Sequence, residues 1–160
     1  MHSTRNDIPK AKREKLVTLL NATLADCLDL KMQAKQAHWN VKGPSFIALH
    51  ELFDKVAAEV DDYADTLAER ATALGGVALG TVKVVASKSR LDDYPLDLSD
   101  GPDHVKALAT VMAAFGKTTR AAIEAADTLD DADSADVLTE VSRGIDKLLW
   151  FVEAHVQAKS

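Results

Sequence analysis

One helix with two different faces constrains this chain more than any other feature. From Ser45 to Leu74 the sequence SFIALHELFDKVAAEVDDYADTLAERATAL contains no glycine or proline, so its side chains can be placed at about 100° per residue. Leu49, Phe53, Val56, Val60, Tyr63, Leu67 and Leu74 then cluster at roughly 220–300° from His50, a core-facing stripe. Asp54, Asp65 and Glu69 fall at about 40°, 60° and 100° on the same scale, a separate face of metal-type ligands. Glu51, Asp61 and Asp62 add to this acidic stripe, and Lys55 alone lies at its edge. Helices usually offset such charge with Lys or Arg at i+4. Here that offset is mostly missing, and the stripe calls for a cation from outside the chain; an ordinary solvated face is the alternative. Ala57, Ala58, Ala64 and Ala68 lie on or beside the stripe, where small side chains admit another helix.

The helix is too long for one metal to use every ligand. Asp65 follows His50 by 15 residues, roughly 22 Å along the axis, whereas metal–ligand bonds are about 2 Å. The ligands therefore divide into His50 with Asp54, and Asp65 with Glu69, each pair at i,i+4 spacing. A second copy of the helix, antiparallel about a two-fold axis, joins the halves and gives two equivalent sites per dimer. His38, before the Gly43-Pro44-Ser45 break, enters with the His50 half.

The rest of the chain reads as a bundle around this helix. At 160 residues it is one domain, and only 7 Gly and 4 Pro interrupt it, which favours an all-α fold. Residues 1–8 read as a polar, flexible tail and 9–160 as the folded domain. A first helix is expected from about Pro9 to Lys42, with Asp7 as a possible cap, on a stripe of Leu16, Leu20, Leu24, Cys27 and Leu28. Ser45 is a natural N-cap for the second helix, and Gly75-Gly76 ends it. Thr81 to Ser87 is expected as a short helix in a long connection. A third helix starts near Gly101-Pro102 and fades at Ala126, and a last one runs from about Ser134 to Gln157. The long connection crosses the bundle and leaves helices two and three parallel, the ferritin-like arrangement.

Charge and cysteine usage narrow the function classes. A net charge of -6 argues against bulk attraction to nucleic acid or anionic membrane. No apolar run approaches the length of a transmembrane span, and the N-terminus has no secretory signal. Cys27 is the only cysteine; as a buried thiol it fits a reducing cytoplasm.

KQAHWNVKGPSFIALHELFD, followed by YADTLAER and Gly75-Gly76, resembles the Dps family, the miniferritins, as does LLWFVEAH around Trp150. The resemblance covers most of the chain and implies a ferritin-like bundle assembled as a hollow dodecamer. It implies ferroxidase centres at two-fold interfaces, with His38, His50 and Asp54 from one subunit and Asp65 and Glu69 from its neighbour. It further implies two irons per centre, oxidation of Fe(II) preferentially by hydrogen peroxide, and storage of the ferric product inside. Carboxylate and imidazole ligands suit iron, and zinc is a non-redox competitor for them. Asp65, Glu69 and His38 are expected to hold the tighter iron, and His50 and Asp54 to serve the second. Trp39 either quenches oxidising equivalents or packs at the interface; Lys35 either pairs with a carboxylate such as Asp54 or is solvated. His2, His104 and His155 read as structural or surface residues. The acidic segment from Asp127 to Asp136 is either a capped, solvated loop or an entry pore, with Asp127, Asp131 and Asp136 as candidates. The competing function is a nucleoid-compacting DNA-binding protein, for which Arg5 and Lys159 would be the tail cations.

Overall fold

Apolar periodicity carries the chain into five helices: α1 (Lys10–Asn40), α2 (Phe46–Ala73), α3 (Val82–Lys88), α4 (Gly101–Thr128) and α5 (Ala132–Gln157). The computed structural model describes residues 1–158, so Lys159 lies outside the described residues. No strand occurs among the described residues. α3 is the short helix expected in the long connection. Ion pairs at the helix ends fix the directions of the long helices. Lys12 donates to Asp130 at 2.5 Å, which puts the start of α1 beside the end of α4. Arg70 donates to both carboxylate oxygens of Asp131, at 2.7 and 2.9 Å, which puts the end of α2 beside the start of α5. With α1 and α2 antiparallel across residues 41–45, α2 and α4 run in parallel. The architecture is the ferritin-like four-helix bundle.

The core is apolar and continuous across all four long helices. Leu16, Leu20 and Leu30 of α1 meet Phe53 and Leu67 of α2, Leu108, Met112 and Phe115 of α4, and Ile145 and Leu148 of α5, all fully buried. Side chains of this size stabilise the fold by about 1.5–3 kcal/mol each. Cys27 lies in this core and donates its thiol to the Val60 carbonyl at 3.3 Å. Burial, with smaller contributions from Asp26 and Asp61, pushes its pKa well above the ordinary thiol range. It is therefore a packed, unreactive thiol.

Several local expectations are corrected. Ser45 stands at the N-cap of α2, yet its side chain makes no capping bond. Backbone does the work instead: Phe46 N–H donates to Gly43 O and Leu49 N–H to Ser45 O, both at 3.0 Å. Pro9, not Asp7, occupies the N-cap position of α1. The last helix starts two residues earlier than expected because Asp131 caps it, accepting from the Ser134 N–H. Ala57 and Ala64 do not flank an open stripe; they are buried in the chain's own core. Their directions, at about 340° and 320° from His50, lie between the two faces, and α1 packs over that boundary. Ala58 is exposed and Ala68 half-buried.

Residues 1–8 lie against the body. The His2 N–H donates to the Gly75 carbonyl at 2.7 Å. Gly75 has a φ of 83°, a left-handed turn that costs glycine nothing and ends α2. The buried Arg13 joins both segments, donating to Ile8 O at 2.9 Å and Leu74 O at 2.8 Å.

Candidate metal centre

The turn between α1 and α2 folds the two histidines onto each other. Their rings stack with centroids 3.7 Å apart and planes at 23°. His38 Nδ1 lies 2.7 Å from the His50 carbonyl, and His50 Nδ1 lies 2.8 Å from the His38 carbonyl. A carbonyl can only accept, so both Nδ1 atoms carry a proton, and a neutral ring held this way presents its Nε2 lone pair. This is the tautomer that a metal-ligating histidine needs, set by the partner of its other nitrogen. Sequence spacing brings the residues to one end of the helix pair; it does not reveal this reciprocal lock, which depends on how α1 seats against α2.

Asp54 lies one turn beyond His50 and is exposed. Lys35 donates to it at 2.6 Å, so the lysine is paired rather than solvated. The Lys35 hydrogen bond, helped by its charge and by the two histidines, holds the Asp54 carboxyl below the ordinary range. Lys31 likewise donates to Asp61 at 2.6 Å. The cations offsetting the acidic stripe thus come from α1, across the helix pair, where an i+4 count along α2 misses them. The Lys35 ammonium also sits 5.6 Å from the centroid of the exposed Trp39 ring.

Asp65 and Glu69 are exposed further down α2. Asp65 borders an open depression together with Leu24, Asp61, Asp62, Ala68 and Gly80. Among the described residues, no three His, Cys, Asp or Glu side chains of a single chain gather as a metal-holding group. The chain brings His38 and His50 together, leaves Asp54 one turn further along α2 in its pair with Lys35, and keeps Asp65 and Glu69 further down the same helix.

The remaining candidates fall elsewhere. His104 is buried, with Tyr94 Oη 2.7 Å from its Nδ1, while His2 and His155 are exposed. Asp131 is buried against Arg70 and the Ser134 hydroxyl, which removes it from any pore surface; Asp127 and Asp136 are exposed. Burial alone would raise the Asp131 pKa, but Ser134 and Arg70 together bring it below the ordinary carboxylate value.

The ferritin-like domain family matches residues 17–159. Relatives narrow this class. The chain is 45% identical over 159 residues to a DNA protection during starvation protein of Agrobacterium fabrum, covering 99% of this chain and 98% of the relative. Among solved structures it is similar to a tetragonal form of Mycobacterium smegmatis Dps, with a TM-score of 0.92 and 33% identity over 98% of this chain and 95% of that one. It is also similar to Dps from Microbacterium arborescens in the high iron form, with a TM-score of 0.86 and 37% identity over 97% and 99% of the two chains. The chain belongs to the Dps family of the ferritin-like superfamily.

Proposed function

We propose that this chain is the subunit of an iron-oxidising and iron-storing cage in the bacterial cytoplasm that protects against oxidative stress. The observation that carries the reading is the reciprocal histidine lock: two stacked imidazoles, each held by Nδ1 to the other's backbone carbonyl, with Asp54 one turn beyond His50 on α2. In a two-fold dimer, His38, His50 and Asp54 of one subunit meet Asp65 and Glu69 of the other. Iron is the substrate, two Fe(II) per centre. The carboxylates supply hard oxygen donors that favour the ferric product, and the imidazoles complete the set. Two Fe(II) give two electrons to one hydrogen peroxide, which with two protons leaves as two waters. Pairing the electrons in this way releases no hydroxyl radical. A dodecamer of tetrahedral symmetry stores the ferric mineral in its interior, as the family resemblance implies.

The depression beside Asp65, edged by Ala68 and Gly80, supports the dimeric reading because small side chains leave room for a partner's histidine-bearing turn. The exposed Asp127 and Asp136 remain candidates for an entry path, where copies around a three-fold axis would concentrate negative charge. The test is peroxide-driven Fe(II) oxidation by the wild-type chain and by Asp65→Ala/Glu69→Ala. The double variant is expected to lose most of the initial rate while still assembling; equal rates would remove the assigned centre.

A further inference from the structure

The acidic stripe of α2 meets its cations across the helix pair, and one of them sits on a ligand. Lys31 and Lys35, one turn apart on α1, donate to Asp61 and Asp54, each at 2.6 Å. Asp61 is outside the ligand set; Asp54 is in it. The Lys35 side chain is 25% exposed, against 56% for Asp54. Its stem lies along the helix pair and its charged head reaches outward to the carboxylate. The head also has a second place to rest. The Trp39 ring, one turn further along α1, has its centroid 5.6 Å from Lys35 Nζ, within cation–π range.

This placement decides what a metal meets at Asp54. One carboxylate oxygen is already taken by the ammonium. A metal ion on the other oxygen would stand a few ångströms from that ammonium, and like charges so close repel even near a surface. The metal must therefore displace Lys35 or bind against its field. Either way the lysine opposes metal binding. A monovalent ion brings only the charge it would replace, whereas a divalent one brings twice as much, so the exchange favours divalent metals.

We infer that Lys35 is the internal counter-cation of the His50–Asp54 half: it holds Asp54 while the centre is empty, swings towards Trp39 when a divalent metal takes the carboxylate, and so keeps the second metal weaker than the first. This rests on the centre given under Proposed function. A purely structural role carries the opposite sign. If Lys35 only tied α1 to α2, its loss would loosen the ligand geometry and weaken the metal; the loss of a competing cation strengthens it.

The experiment titrates Co(II) into the purified, metal-free full chain, followed by calorimetry and by the visible d–d bands, which need no turnover. Wild type is expected to bind two Co(II) per centre in unequal steps. Lys35→Met keeps the apolar stem and removes the charge. Its second step is expected to tighten about fivefold, the upper range for an exposed ion pair, with the first step little changed. A second step absent in wild type and present in Lys35→Met is the same result. Lys35→Gln is expected to match Lys35→Met and decides the matter if Lys35→Met fails to fold. Lys35→Arg keeps the competing charge and is expected to bind like wild type. Lys55→Met removes the cation next to Asp54 in sequence, which pairs with Glu59 instead; it controls for net charge and is expected to leave both steps unchanged. Adding Asp54→Asn to Lys35→Met is expected to abolish the gain, because the two changes act on one pair. A second step unchanged or weakened in Lys35→Met and Lys35→Gln overturns the inference, as does an equal gain in Lys55→Met. An Asp65→Ala/Glu69→Ala arm tests the centre itself. If it loses the tight step while the Lys35 variants bind like wild type, only the counter-cation role falls; if it binds Co(II) like wild type, the centre falls and the inference with it.

Discussion

His104 is neutral in the folded chain because burial disfavours its charged form, and the Leu98 and Asn40 carbonyls and Asp100 and Asp103 only partly oppose that effect. Its folded pKa lies below the ordinary value of 6.5. As pH falls, the unfolded chain takes up this proton first, so stability is fully present above about 6.5 and erodes as pH drops towards the lowered folded value. His104→Gln is expected to flatten the dependence of melting temperature on pH across that window, measured by thermal denaturation between pH 7.5 and 5. A slope equal to that of wild type would show that His104 does not contribute to the acid sensitivity. Asp131 works in the same sense but at lower pH,. Its lowered pKa means that its contribution is present above 3.8 and lost only as pH falls further,, so the two groups act in separate pH windows.

Between elements, the Arg70–Asp131–Ser134 cluster joins the end of α2 to the start of α5. Asp131→Ala removes an N-cap and strands a largely buried guanidinium, and is expected to cost about 2–4 kcal/mol. Urea unfolding of the wild type and variant under matched assembly conditions would measure this, and a loss under about 1 kcal/mol would mean Arg70 finds another partner. This junction also shows how far the sequence could be read. The aspartate-rich segment was legible as capped loop or pore; which aspartate turns inward was not, because Arg70 lies 61 residues away in the chain. Helix periodicity placed the core stripe of α2 well, since direction along one helix follows from geometry alone. It failed for Ala57 and Ala64, where the seating of α1 decides the outcome. The ligand residues were legible from spacing, whereas Lys35, left between two readings, needed the helix pair to reveal Asp54 as its partner.

At the scale of the whole molecule, two features bear on nucleic acid. The chain carries a net charge of -6, and its first residues are held by Gly75, Arg13 and the end of α2. A short terminal segment bonded to the body cannot track phosphates as a free basic arm does. A gel-shift series across salt concentration is expected to show no complex at physiological salt; a salt-resistant complex would establish DNA binding as a primary activity. The proposed assembly has a different consequence. His50 lies near one end of α2 and Asp65 roughly 22 Å along it, so in the proposed dimer each centre would draw its halves from different polypeptides. Two chains crippled at opposite ends should rescue each other. His38→Ala/His50→Ala and Asp65→Ala/Glu69→Ala are each expected to be inactive alone. Once mixed by dissociation and reassembly, they should regain activity approaching about a quarter of wild type, because half the random pairs are mixed and each mixed pair rebuilds one of its two sites. The unit on which a mutation in this chain acts is then the pair, and inheritance of the activity would show complementation between alleles.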